Sequence, residues 1–251
     1  LEIIKVTKDV GAKSVGFTTN GVLVTKDFFR KMIDAGLNVI EFSFEGTDKG
    51  SFEYLRRGAK YEVVEQNILD ACAVKVENNY DVNISINIID NKFTHSCLKD
   101  FLQKWTKVEG LDRVDIASLG DWVGTVDVSG LQHSQAIKYN VLNVCPAPWF
   151  SVVIQYNGWV VPCCTWLYEP FGNIFQDDLK KIWNGPRFVN FRETMLKGRT
   201  NHPYCSKCKA NPFSPNSPYL KKPTRLYPFT YSFLKVFILE PLKRRVTLSR
   251  Y

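Results

Sequence analysis

Five of the seven cysteines in this 251-residue chain fall between Cys145 and Cys208, in groups spaced as ligands. The groups read C-P-A-P-W-F at 145–150, N-G-W-V-V-P-C-C at 157–164 and P-Y-C-S-K-C at 203–208. A C-x-x-C lets two thiolates from one turn reach the same ion or cluster, and two more from a hairpin complete a tetrahedral set of sulfurs. The candidate ligands are Cys145, Cys163 or its neighbour Cys164, Cys205 and Cys208. Cys72 and Cys97 lie among apolar neighbours in helical segments and read as ordinary core cysteines. An odd, unevenly placed set of cysteines suits metal ligation in a reducing, cytoplasmic setting better than a disulfide framework. His95, His133 and His202 are scattered and form no triad with a nucleophile, so no catalytic side chain is nominated and each reads as a surface or capping residue.

The elements that must position these groups alternate upstream. Residues 2–10 form an amphipathic helix closed by Gly11, and 14–18 a short strand that stops at the turn Thr19-Asn20-Gly21. A helix is expected over 26–35, a strand over 38–44 ending in Glu45-Gly46, and a long helix over 61–77. A strand at 81–89, a helix at 97–108 and a strand at 113–117 complete the series. Strands separated by helices of this length imply βαβ units and a parallel sheet. Ligands then gather at the C-terminal ends of the strands, where Asn20, Gly21, Ser43 and Glu45 stand.

The pattern loosens over 121–144, read as a linker after a first domain at 1–120. A smaller cysteine domain at 145–210 should open on a hairpin at 151–162 turning through Tyr156-Asn157-Gly158, followed by helices at 177–183 and 186–196. Trp149, Trp159, Trp166 and Trp183 crowd this region and are expected to pack around the sulfurs. Residues 211–251 form a proline-rich linker and a basic aromatic tail, which carries +7 of the net charge of +8. The body is therefore close to neutral and offers no nucleic-acid groove. The tail suits contact with an anionic membrane surface or packing on a partner. No run approaches the ~20 apolar residues of a membrane span.

Ordered motifs carry a resemblance. F-T-T-N-G at 17–21, F-S-F-E-G at 42–46 and L-R-R-G-A-K-Y-E-V-V-E-Q-N-I at 55–68 resemble the radical S-adenosylmethionine (SAM) enzymes with a C-terminal SPASM or twitch domain. Cys145, Gly158 and Cys163 are spaced like that domain's Cys…Gly-x4-Cys element, which favours Cys163 over Cys164. Gly172-Asn173-Ile174, L-K-K-I-W-N at 179–184 and 188–192 also sit where such domains have them. The resemblance spans roughly residues 1–210.

It implies an α/β fold: a partial (β/α) parallel barrel of the radical SAM type, its first strands missing, followed by a small α+β SPASM/twitch domain. Cys145, Cys163, Cys205 and Cys208 would hold one auxiliary [4Fe–4S] cluster, because the further cysteines of the fuller SPASM pattern are absent after Cys208. Asn20, Gly21, Ser43, Glu45 and Arg57 would bind SAM, with Asn87 a weaker candidate, although the family more often has Asp where Glu45 stands. The radical-generating C-x3-C-x2-C and its own [4Fe–4S] cluster would lie upstream of Leu1, in strand–helix units of about 30 residues each. The implied activity is hydrogen abstraction from a peptide or a small, sugar-like substrate. A flavodoxin or ferredoxin would donate electrons. Since this chain carries no C-x3-C-x2-C, a non-catalytic iron–sulfur or zinc-binding partner protein is the alternative.

Overall fold

The computed structural model describes residues 1–46, 48–132, 145 and 147–208. The expectations placed on the linker residues 133–144, on His133 and on the tail 211–251 lie outside the described residues. The chain divides into two units, one of Leu1–Ile88 with Cys97–Ile116, the other of Ile89–Ser96 with the described residues from Ala117 onward.

In the first unit the chain runs α1 (Glu2–Asp9), β1 (Gly16–Thr19), α2 (Lys26–Asp34), β2 (Val39–Ser43), α3 (Lys49–Leu55), α4 (Tyr61–Glu77), β3 (Asn83–Asp90), α5 (Leu98–Trp105) and β4 (Arg113–Ser118). The strands form one sheet in the order β1-β2-β3-β4. β1 pairs with β2 and β2 with β3 in parallel, with Gly16 opposite Val39 and Val39 opposite Asn83. Helices join successive strands, as parallel neighbours require. The parallel α/β sheet expected from the alternation is present.

Local chemistry explains the element ends. Thr25 caps α2 by accepting the Phe28 N–H, and Asp48 caps α3 by accepting the Ser51 N–H at 3.0 Å. Along β2, Ile40 and Phe42 point inward and alternate with half-buried residues, the period of a strand with one covered face. Around them Phe29 and Met32 of α2, Val64 and Ile68 of α4, Ile84, Ile86 and Ile88 of β3 and Trp105 of α5 close a core. Its aromatic centre is Phe44, whose ring lies 4.9 Å from Phe52, 5.4 Å from Tyr61 and 5.5 Å from Trp105. Helix α3 was not expected. It is seven residues long, and the ring of Phe52 is its anchor.

The second unit holds α6 (Ala147–Phe150), β5 (Val153–Ile154), β6 (Trp159–Val161), β7 (Gly172–Asn173), α7 (Leu179–Trp183) and α8 (Pro186–Leu196), then two 3-10 turns at Arg199–Asn201 and Cys205–Lys207. β5 and β6 form the expected antiparallel hairpin, and β7 adds a third antiparallel strand that sequence reading did not find. Gly158 turns the hairpin at φ +81°, and a Cβ there would come within 2.7 Å of Asn173 Oδ1. Pro186 opens α8, which buries Phe188, Phe191, Arg192 and Met195 at helical spacing along one face.

Candidate functional site: the cysteine cluster and the strand ends

Three chain segments bring the sulfurs together. Cys145 precedes α6, Cys163 follows β6, and Cys205 and Cys208 flank the last 3-10 turn. All four pack against one apolar cluster of Val123, Val161, Trp166, Phe191, Met195 and Tyr204. Trp166 is its hub, with ring centroids of Phe171 and Phe191 at 5.3 Å and of Tyr204 at 5.2 Å. Cys164, by contrast, is exposed. Its neighbour Cys163 thus takes the inward position.

The thiols feel one another. Burial pushes Cys145 and Cys163 above the ordinary thiol range and Cys205 up to about 12, and each is raised further by neighbouring cysteines of the set. Opposing this, the backbone N–H groups of Ala147 and Thr165 act on Cys145 and Cys163, each from two residues downstream. The Thr165 hydroxyl also lies 3.5 Å from Cys163 Sγ. Amides placed two residues after a cysteine stabilise its thiolate, which is the form that binds metal.

Single-ion ligation and cluster ligation make different demands. A zinc ion needs its thiolates at about 2.3 Å from one centre. Among the described residues, no group of three or more His, Cys, Asp or Glu side chains is arranged to hold one metal ion. The four thiols nonetheless share one apolar cluster and interact electrostatically.

Two further side chains fix this geometry: Arg192, and His202, which reads from the sequence as a surface or capping residue. Arg192, buried on α8, donates to Pro148 O and Trp183 O at 2.8 Å each and lies over the Trp183 ring at 4.3 Å. It ties the helix after Cys145 to α7 and α8. His202 accepts the N–H of Tyr204 and of Cys205 on Nδ1, at 3.3 and 3.4 Å, and so caps the turn that carries the C-x-x-C. Burial lowers its pKa and favours the neutral ring that this acceptor role needs. The tryptophans divide: Trp149 and Trp166 pack with the sulfurs, Trp183 belongs to a separate cluster with Val160 and Phe188, and Trp159 is 45% exposed. The expectation that all four surround the sulfurs is corrected to two. Cys72 is buried as expected, whereas Cys97 is only half-buried, at the end of a 3-10 turn.

In the first unit, Asn20 and Gly21 follow β1, and Ser43 and Glu45 end β2. Asn20 Oδ1 accepts the Val22 N–H at 3.2 Å, so the side chain shapes its own turn. Gly21 sits at φ +78° and a Cβ would meet Val64 at 2.9 Å. Asn67 of α4, buried, donates to Gly21 O at 2.8 Å and to Val22 O at 3.2 Å, which pins the turn. Ser43 faces Asn87 across the β2–β3 register. The carboxylate of Glu45 is buried and held by a two-pronged ion pair with Arg56, through Nε and Nη2. Arg57, the arginine nominated from sequence, is exposed. The adjacent pair in R-R-G gave no means of choosing between them.

Residues 145–209 match the family model for SPASM, described as an iron–sulfur cluster-binding domain. Among solved structures, the chain is similar to the crystal structure of BtrN in complex with AdoMet and 2-DOIA, at 15% identity and a TM-score of 0.30 over 82% of this chain and 87% of that one. It is likewise similar to SeMet BtrN in an open conformation, at 17% identity and a TM-score of 0.27 over 81% and 83%. At these TM-scores neither likeness adds to the site. No curated protein matches the chain. Among the described residues no helix is long and apolar enough to cross a membrane. The segment that gathers the four thiols, 145–209, thus falls with the SPASM iron–sulfur cluster-binding domains, in line with the radical SAM/SPASM resemblance of the motifs before it.

Proposed function

We propose that this chain belongs to a radical SAM oxidoreductase or modifying enzyme whose SPASM/twitch-type domain holds an auxiliary [4Fe–4S] cluster on Cys145, Cys163, Cys205 and Cys208. The observation that carries it is the packing of those four thiols against one apolar cluster within the segment matched to SPASM. Together SAM and iron–sulfur clusters supply one-electron chemistry that removes hydrogen from an unreactive C–H bond. What the chain's own residues contribute is placement. The Ala147 and Thr165 amides stabilise thiolates, Trp149 and Trp166 pack with the sulfurs, and Arg192 and His202 hold the ligand turns in register.

For SAM, the polar groups at the ends of β1 and β2 are the binding residues in this reading: Asn20, the backbone at Gly21, Ser43 and Glu45. Arg56 replaces Arg57 as the arginine beside Glu45. A carboxylate and a guanidinium joined at a strand end match the ammonium and carboxylate of an amino-acid moiety. The substrate is a peptide or a small sugar-like molecule, the electron donor a flavodoxin or ferredoxin, and the setting a reducing cytoplasm.

The test is anaerobic purification followed by iron and zinc analysis and visible absorption, on this chain and on Cys205→Ala/Cys208→Ala and Cys164→Ala variants. About four irons per chain with a broad band near 400 nm, lost in the double variant and kept in Cys164→Ala, is the expected result. One zinc and no colour would leave a zinc-stapled binding module and sink the enzyme reading.

A further inference from the structure

Among the described residues, the aromatic shell of the sulfur site holds one buried polar tip with no hydrogen-bond partner, the Tyr204 hydroxyl. Its neighbours are provided for. Trp166 Nε1 donates to Glu169 O at 3.1 Å, His202 Nδ1 accepts two amides, and Tyr168 is 58% exposed. Tyr204 is only 4% exposed. Its ring stands edge-on to Trp166 at 5.2 Å and to Tyr168 at 4.9 Å between centroids. Its N–H is held by His202 Nδ1, and its carbonyl accepts the Lys207 N–H at 3.2 Å. Ring and backbone are thus both fixed. The apolar cluster to which Tyr204 belongs is the one against which Cys145, Cys163, Cys205 and Cys208 pack. The Thr165 hydroxyl acts on Tyr204 from outside hydrogen-bond geometry, and its oxygen lies 3.5 Å from Cys163 Sγ.

A phenol buried in this way gives up its hydrogen bonds to water and recovers none, which is why buried tyrosine hydroxyls are ordinarily paired. Phenylalanine would make the same ring contacts without that cost. Packing alone therefore does not account for the hydroxyl. The chemistry of its surroundings does. Four thiolates and the sulfides of an iron–sulfur group would bring anionic sulfur into an apolar pocket, and an O–H donor to an anionic acceptor is the stronger kind of hydrogen bond.

We propose that the Tyr204 hydroxyl donates a hydrogen bond to a sulfur of the iron–sulfur group held by these cysteines, a positioning residue beyond the four ligands. The inference rests on the cluster reading of Cys145, Cys163, Cys205 and Cys208. It makes one oxygen atom a cost to the iron-free chain and a gain to the loaded one.

The experiment compares wild type with Tyr204→Phe and, as control, with Tyr168→Phe, which removes a hydroxyl from the exposed neighbouring ring. Each chain is loaded anaerobically and its iron counted first. Tyr204→Phe should take up iron and then lose it to a chelator about tenfold faster than wild type, the scale set by outer partners of a bound metal. Resonance Raman spectra in H2O and D2O supply a signature that packing does not mimic. The deuterium shift of the iron–sulfur stretching bands should shrink in Tyr204→Phe alone. Stripped of iron, the second unit of Tyr204→Phe should resist limited proteolysis at least as well as wild type. Failure of Tyr204→Phe to load, with the iron-free unit no weaker than wild type, is the same result at full strength. The inference is overturned if either iron release or the deuterium shift stays at the wild-type value. It is equally overturned if the iron-free variant is cut faster, which would make the hydroxyl a prop of the fold. A wild-type chain that takes up no iron refutes the earlier step, the cluster reading, and this inference with it.

Discussion

The two units solve the same problem, holding a few polar groups in fixed places, with different materials. The first relies on bulk. Phe29, Phe42, Phe44, Phe52, Ile68, Ile84 and Ile86 are fully buried against a parallel sheet, and polar groups are set at its strand ends. The second has strands of two or three residues and two small apolar clusters, the larger of which is shared with four cysteines. A core that small leaves a domain marginal unless something staples it. The contrast teaches that in the first unit the polar groups are an accessory to the core, while in the second the cysteines and the core occupy the same place.

That contrast can be broken most forcefully at the sulfurs. Replacing Cys205 and Cys208 by alanine should remove stabilisation on the order of 10 kcal/mol from the second unit, the scale of structural metal–thiolate sites. Limited proteolysis should then cut within 147–208 and leave the first unit intact. Survival of the second unit without iron would show that its apolar clusters suffice.

The reverse experiment is Phe44→Ala. Emptying the centre of the first core should cost about 3–5 kcal/mol in urea unfolding and leave the iron content of folded protein unchanged. Loss of iron along with stability would mean that the units do not behave independently.

Next in size is the arginine pair. Arg56→Ala strands the Glu45 carboxylate in a buried position and should cost about 3 kcal/mol, with SAM binding by equilibrium dialysis weakened. Arg57→Ala, at an exposed position, should change stability by less than about 0.5 kcal/mol. Equal effects would put both residues in the same role. Below the Arg56 effect comes Asn67→Ala, about 1–2 kcal/mol, since it releases two carbonyls of the β1 turn rather than an ion pair. Its signature is faster amide exchange at Val22 and Val24.

Legibility followed the same divide. Long periodic segments spoke plainly: the helix expected at 61–77 has those bounds, and β1, β2, β3 and β4 lie within two residues of their expected starts and ends. Short elements did not. α3 contains Gly50 and buries only Phe52, so seven residues carry no period to read, and β7 is two residues long. The cysteines were legible because ligand spacing is a covalent constraint on the chain itself. Arg56, Asn67 and Arg192 were not, because each works on partners 9 to 46 residues away, and nothing in a sequence marks which way a side chain will face. The likeness to SPASM domains carried further than any single residue, since it fixed an order of motifs rather than a contact.

The adjacent cysteines of the hairpin have one practical consequence. Cys163 is turned inward and Cys164 outward, so two thiols joined by a single peptide bond differ in reach to a dissolved reagent. With the inner sulfurs occupied, a maleimide should label Cys164 first and leave its neighbour untouched. Stripping the metal should then open further sites to the same dye. A simple mass shift on intact protein would thereby count ligation, and a fluorophore at Cys164 would sit beside the sulfur site without taking part in it.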